Sequence, residues 1–169
     1  NEQAIFAGAI SAPQIVVVNT PVTVQSITFD NANSYVLAGA GSVNLSSENG
    51  ISTIHVLEGH HQFQAVVNLG NATHVEIAPG ASLTFNNTLN LGGHALSKTG
   101  SGAININNVL NTAGGSVAVA AGALGGAGEV RGDVYNSGGT LSAGSGSSTL
   151  GASSGNIEAN AAAGSLEHE

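Results

Sequence analysis

The sequence predicts an all-β protein, a parallel β-helix (β-solenoid) in which short strands stack coil upon coil. Three observations favour this class: a glycine that returns about every 21 residues, a short alternating strand before it, and an Asn-containing cluster half a repeat away. A fixed period of 20–50 residues is typical of stacked repeat architectures. Over the 169 residues of the chain, this period predicts about eight coils.

The recurring glycines mark one predicted corner of each coil. A sharp corner needs a residue that adopts positive φ, and glycine does so without steric cost. These residues are Gly59, Gly80, Gly100, Gly122, Gly144 and Gly164, with Gly39 one step upstream.

The strand before each glycine predicts which side chains face inward. Alternate residues of a strand share one face, so the residues five and three positions before each glycine form an inward pair. These pairs are Ile54 and Val56, Val75 and Ile77, Ala95 and Ser97, and Val117 and Val119. The intervening residues, predicted to face outward, are His55, Glu76, Leu96 and Ala118.

The Asn-containing clusters predict a second set of turns. Asn tolerates positive φ and bonds to nearby backbone, and the glycines that follow it complete a turn. Stacked coils would align these Asn side chains in a ladder, with each amide bonded to the next. The predicted ladder residues are Asn68, Asn90, Asn111 and Asn136.

The composition agrees with one folded domain. Hydrophobic residues make up 41% of the chain and charged residues 7%, whereas disorder requires low hydrophobicity and high charge. We expect residues 1–164 to form a single solenoid domain and residues 165–169 to be a tail that resembles a cloning remnant. Because the chain starts at Asn1 rather than Met, we expect a processed product or a fragment.

The charge balance excludes several partners. The formal net charge is −8, and the fixed cations are Lys98 and Arg131. Nucleic acids and anionic membrane surfaces both require clustered basic residues, so neither is expected to bind. No apolar run approaches the ~20 residues of a membrane helix, so we expect no membrane insertion of this segment. The absence of Cys removes disulfides and thiolate chemistry.

Three segments resemble the autotransporter-associated β-strand repeats of large secreted bacterial proteins, a family with similar sequences in planctomycete surface proteins. Leu96–Ile106 matches the pattern Leu-x-Lys-x-Gly-x-Gly-x-Leu-x-Leu, with Ile at the last two apolar positions. Gly138–Ser145 is similar to Gly-Gly-Thr-Leu-x-Pro-Gly-x-Ser, and Val22–Gly39 resembles the opening strands of the family. The resemblance implies a secreted, right-handed parallel β-helix that serves as a passenger or surface module. It carries over no catalytic residue.

Two histidines are weak candidates for a metal site. His74 and His94 each lie six residues before a recurring glycine, which predicts that they stack on one outer face about 4.8 Å apart. Two imidazoles supply only part of a ligand set, so a solvated pair is favoured over a transition-metal site. The same alignment places His55 over Glu76 as a surface charge pair. It also sends His60 and His61 to opposite faces.

The acidic residues do not predict an enzyme. Glycoside hydrolysis needs two carboxylates about 5–9.5 Å apart in one cleft. The acids Glu48, Glu58, Glu76, Glu129 and Asp133 occupy different offsets or distant coils, and of these only Glu129 and Asp133 are near in sequence. The Arg131-Gly132-Asp133 tripeptide would not be presented as a loop if a strand held it. We therefore expect no catalytic residue and no cofactor.

These observations predict a secreted or cell-surface bacterial protein with a structural or adhesive function. Open strand edges at the ends of a solenoid favour self-association, end to end, into a homo-oligomer, filament or matrix. The alternative is a carbohydrate-binding module of a larger secreted protein, with Tyr35 and Tyr135 as the candidate aromatic contacts for a polysaccharide.

Overall fold

A computed structural model describes residues 2–143, 157–159 and 165–168. The described residues form twenty strands and no helix, so none of them belongs to a helix that could cross a membrane. Every strand pairing is parallel and joins one coil to the next. The predicted β-solenoid is confirmed, with about seven coils.

Each complete coil places one strand on each of three faces. Face 1 contains β1 (Gln3–Phe6), β4 (Ser26–Asp30), β7 (Ile51–Glu58), β10 (Ala72–Ile77), β13 (Ala95–Thr99) and β19 (Ile157–Ala159). Face 2 contains β2 (Gln14–Val17), β5 (Tyr35–Ala38), β8 (His60–Phe63), β11 (Ser82–Phe85), β14 (Ala103–Ile106), β16 (Ala123–Gly125), β18 (Thr140–Ala143) and β20 (Ser165–His168). Face 3 contains β3 (Val22–Val24), β6 (Ser42–Leu45), β9 (Val66–Leu69) and β12 (Leu89–Asn90).

Two long strands bend from face 3 to face 1. They are β15 (Val109–Val119) and β17 (Glu129–Asn136), whose first halves lie on face 3 and second halves on face 1. Because of this bend, faces 1 and 3 belong to one 12-stranded sheet, while face 2 is an 8-stranded sheet.

The interior is a column of apolar side chains aligned along the axis. The rings of Phe6 and Phe29 stack with centroids 5.0 Å apart, and those of Phe63 and Phe85 stack at 5.2 Å. Aliphatic residues align in the same way, as where Ile27, Ile54 and Val75 oppose one another in successive coils. Burying one large apolar side chain contributes about 1.5–3 kcal/mol, so this column is the main source of stability.

The predicted inward pairs are correct in three of the four strands and wrong in β13. Val75 opposes Lys98, so Leu96 and Lys98 point inward and both are buried. Ala95 is exposed and Ser97 is half-buried. The strands β10 and β13 are offset by 23 residues, whereas the glycine spacing suggested 20, and an odd difference moves every side chain to the other face.

Four of the recurring glycines lie at the same corner of their coils, but they occupy different positions within that corner. Gly59, Gly80, Gly100 and Gly122 all connect face 1 to face 2, with φ between 70° and 82°. Gly100 directly follows its strand, but Gly80 comes three residues after the end of β10. Gly39, one of three residues between β5 and β6, lies at a different corner. The predicted corners at Gly144 and Gly164 lie outside the described residues.

Candidate functional site

His74 does not stack on His94. The register of β10 and β13 places His74 opposite Ser97, while His94 lies in the corner that precedes β13. The Nε2 atom of His74 lies 3.0 Å from the Thr99 hydroxyl oxygen. The predicted pairing was wrong because it used a step of 20 residues. Within the described part of the chain, no group of three or more His, Cys, Asp or Glu residues is placed to hold a metal ion.

His55 and Glu76 do lie opposite each other on face 1. The His55 Nδ1 atom is 3.3 Å from a Glu76 carboxylate oxygen, and both side chains remain partly exposed. An exposed cross-strand pair of this kind contributes about 0.2–1 kcal/mol. It is a surface interaction rather than a reactive site.

His60 and His61 point to opposite sides of β8, as predicted. His60 is exposed, while His61 is fully buried against the Phe29 ring, with centroids 4.4 Å apart. The His61 Nδ1 atom accepts the Tyr35 backbone N–H at 3.1 Å, so Nε2 carries the proton and donates to the Glu58 carbonyl at 2.8 Å. Burial lowers the pKa of His61, because the charged form is poorly solvated there.

A ladder of Asn side chains runs along face 3. Asn68 donates its side-chain amide to Asn44 at 2.9 Å, and Asn90 donates to Asn68 at 2.9 Å. Asn111 is next in register, but its Oδ1 atom accepts the Ala113 N–H at 3.2 Å instead of continuing the ladder's pattern. The ladder residues lie at the ends of strands, with side chains that face outward between buried neighbours.

Asn136 does not belong to this ladder. It lies opposite Val119 on face 1 and is buried. Its side chain closes a tight turn, since Nδ2 donates to the Gly139 carbonyl and Oδ1 accepts the Gly139 N–H, both at 2.8 Å. The Asn-Ser-Gly-Gly cluster resembles the others in sequence but occupies a different corner.

A second amide ladder follows face 2, and it was not predicted. Asn86 donates to Gln62 at 3.0 Å, and Asn107 donates to Asn86 at 2.9 Å. The signal in the sequence was the recurrence of an amide residue near the end of three successive face 2 strands, β8, β11 and β14.

Lys98 is a buried cation at the corner between faces 1 and 2. Its Nζ atom donates to the carbonyls of Thr99, Gly100 and Ala121 at 2.9, 2.7 and 3.0 Å. Burial lowers the pKa of Lys98 to about 8. The ammonium thus closes a corner between two coils and is not presented to a ligand.

A polar recess opens where two unequal corners meet, and we call it the corner recess. It is lined by residues 111–115 and 131–133 and has a volume of about 380 Å³. In one coil, four residues separate Asn111 from Ser116. In the next coil, Gly132 alone separates the corresponding Arg131 and Asp133. The two corners are neighbours in the stack, and together they line the recess.

The backbone at the corner recess is held in unusual conformations. Ala113 has φ of 51°, in the left-handed region that costs a non-glycine residue about 1–2 kcal/mol. Gly132 has φ of 130°, and a Cβ there would lie 1.8 Å from the Thr112 hydroxyl oxygen. Such strain is concentrated at functional sites in proteins, which makes the recess the candidate site.

The corner recess carries charged groups of both signs. Arg131 donates to Glu129 at 2.9 Å, and this hydrogen bond lowers the pKa of Glu129 and raises that of Arg131. Asp133 lies on the other side of Gly132, so the Arg-Gly-Asp tripeptide spans a corner rather than the middle of a straight strand. Glu129, Arg131 and Asp133 together carry a formal charge of −1.

The two tyrosines have different environments. Tyr35 is buried, and its hydroxyl donates to the Ala7 carbonyl at 2.6 Å. Tyr135 is 41% exposed and lies two residues after Asp133 in β17, on the same outer face. Tyr35 therefore cannot contact a ligand without unfolding the first coils, whereas Tyr135 is available beside the corner recess.

Comparison of the chain with protein-family models, with curated proteins and with solved structures found no match.

Proposed function

We propose that this chain is a non-catalytic structural or adhesive module of the bacterial cell surface or extracellular matrix, and that it assembles end to end. The sequence resemblance to autotransporter-associated repeats supports the secreted location. The regular axial pairing of about seven coils, each ~4.8 Å high, supports the structural role because it makes a rod of about 30 Å.

The first coil of the described residues is the observation that carries the assembly. Among the described strands, β1, β2 and β3 each pair on one side and terminate their rows. An unpaired strand edge presents free N–H and C=O groups and is a template for another strand. The first coil thus offers three such edges in one plane.

Apolar side chains surround these edges. A cavity of about 190 Å³ opens at the first coil, lined by residues that include Phe6, Val16 and Val24. Each of these three side chains is only half-buried, although their partners in the next coil are fully buried. A second copy of the chain, presenting a coil of the same three-strand outline, would cover this surface and continue the axial pairing.

Sedimentation velocity over a range of protein concentrations tests the assembly, with small-angle scattering to measure the length of the particle. The wild-type chain is expected to self-associate, and end-to-end dimers would reach about 60 Å, twice the estimated rod length. Val16→Lys places a charge at the open end and is expected to yield monomers. Ile15→Lys lies on the same strand but faces outward, 65% exposed, and is expected to associate as wild type does.

Thermal unfolding of both variants controls for damage to the first coil. A wild-type chain that remains monomeric at all concentrations contradicts the assembly. Equal loss of association in both variants would place the contact on the side of the solenoid rather than at its end.

Carbohydrate binding is a second candidate function, favoured by one observation. Tyr135 is an exposed aromatic side chain beside a polar recess, an arrangement suited to a saccharide ring.

A further inference from the structure

We infer that the corner recess, together with Tyr135, binds one unit of a neutral saccharide. This inference rests on the second candidate function and names its site. The recess volume of about 380 Å³ lies within the 300–1,000 Å³ typical of ligand pockets.

The recess offers polar atoms that match sugar hydroxyls. The turned Asn111 side chain accepts the Ala113 N–H through Oδ1, and no described residue accepts a hydrogen bond from its Nδ2 atom. That amide can donate to a hydroxyl oxygen. On the opposite wall, the Asp133 carboxylate can accept from a hydroxyl, and Arg131 can donate to one. Donors and acceptors on two walls can fix the orientation of a polyhydroxylated ring.

The local charge selects a neutral ligand. Arg131 is the fixed cation exposed in the described residues, and Glu129 already neutralises it. With Asp133 included, the site has a net formal charge of −1, and the whole chain carries −8. Sulfated or uronic-acid polymers would therefore be repelled, while neutral hydroxyl groups are not.

Tyr135 supplies the apolar contact. Its ring projects from face 1 next to Asp133, and its partner in the preceding coil is Ala118, whose small side chain leaves the ring uncovered on that side. The C–H groups of a saccharide ring pack against such an aromatic face. The strained corner at Ala113 and Gly132 holds both walls in place before the ligand arrives, which reduces the entropic cost of binding.

The test is titration of the ¹⁵N-labelled full chain with neutral hexasaccharides of β-1,4-linked glucose, mannose and xylose. Hexagalacturonate is the anionic comparison. Binding of at least one neutral oligomer is expected to shift the amide signals of Gly114, Gly115 and Gly132. Gly50 and Gly80 lie at other corners and are expected to remain unshifted.

Two variants locate the site, and both change side chains that face outward. Asp133→Ala and Tyr135→Ala are each expected to weaken binding by about tenfold or more, the size expected for a charged hydrogen bond or a stacked ring. Glu76→Ala, on the same face, is the matched control and should bind as wild type does. The amide spectrum of each variant verifies its fold.

The outcomes distinguish the recess as the binding site from carbohydrate binding as the function. Binding of a neutral oligomer that neither variant weakens would overturn the recess as the site but leave carbohydrate binding standing. Preferential binding of hexagalacturonate would overturn the charge argument. No shift with any oligomer would overturn both the site and the second candidate function, without bearing on end-to-end assembly.

Discussion

The buried imidazole of His61 makes the stability of the solenoid depend on pH. Its two nitrogens are both used by the backbone, and only the neutral form with the proton on Nε2 fits them. Protonation of Nδ1 would point a second N–H at the Tyr35 N–H. Burial disfavours the charged ring, so the pKa of His61 is lower in the folded chain than the usual 6.5 of the unfolded chain.

The sign of the effect follows from proton linkage. Between the lowered folded pKa and 6.5, the unfolded chain binds one proton more at this position than the folded chain. Stability contributed by neutral His61 is complete above pH 6.5 and is lost as pH falls through this window. The free energy of unfolding is expected to fall by up to about 1.4 kcal/mol per pH unit there.

Urea unfolding followed by circular dichroism between pH 7.5 and 5 measures this slope, since the chain has no Trp for fluorescence. His61→Gln keeps a donor and an acceptor but does not titrate, so its slope should be shallower than that of wild type. His60→Gln changes the exposed neighbour and should keep the wild-type slope. If His61→Gln loses stability with acid as steeply as wild type, the linkage does not arise at His61.

His61→Phe tests the hydrogen bonds separately from the charge. Phenylalanine keeps the ring contact with Phe29 but leaves the Tyr35 N–H and the Glu58 carbonyl without their partner. At about 1–3 kcal/mol for each buried unpaired group, the expected loss at pH 7.5 is about 2–6 kcal/mol. A loss below 1 kcal/mol would mean that water or a backbone shift replaces both bonds.

Three further predictions use the same unfolding assay. Gly80→Ala should cost about 1–2 kcal/mol for positive φ alone, and Gly100→Ala should cost more because its Cβ would lie 2.2 Å from the Ile77 carbonyl oxygen. Equal costs for the two substitutions would show that neighbouring coils move apart to admit the added methyl group at position 100 without a loss of stability. Asn68→Ala removes two ladder hydrogen bonds and should lower the free energy of unfolding by about 1–3 kcal/mol. An unchanged free energy of unfolding would show that the ladder does not stabilise the fold. For Lys98, the folded pKa of about 8 lies below the unfolded 10.5, so stability should rise with pH between these values. Lys98→Met should abolish that rise, and an unchanged rise would assign it to another group.

The fold could be predicted from the sequence because period and alternation survive local irregularity. Three of the four inward pairs were correct, since each strand repeats its apolar residues at two-residue spacing. The pairing of β10 with β13 could not be predicted, because Gly80 and Gly100 occupy different positions in the same corner. A corner can gain or lose residues without disturbing the strands that it joins. Glycine spacing therefore measures the corners together with the strands, while register depends on the strands alone.

The buried position of Lys98 also could not be predicted from the sequence. An alternation of Leu96, Lys98 and Gly100 is consistent with an outward strand if lysine is assumed to seek solvent. Inside the solenoid, however, a corner leaves carbonyl groups that the strands cannot satisfy. An ammonium on a long flexible stem reaches three of them at once. The hydrophobic pattern does not reveal these unsatisfied carbonyl groups, because they belong to the backbone of two adjacent coils.

The corner recess lies at the shortest step between coils among the described pairings. From Ser97 to Ala118 the chain advances 21 residues, and from Ala118 to Tyr135 it advances 17. At this level one corner is three residues shorter than its neighbour, and the Asn111 Oδ1 atom accepts the Ala113 N–H outside the amide ladder. A solenoid therefore gains a concave, polar site where two neighbouring corners differ in length, and such places are the ones to search for ligands.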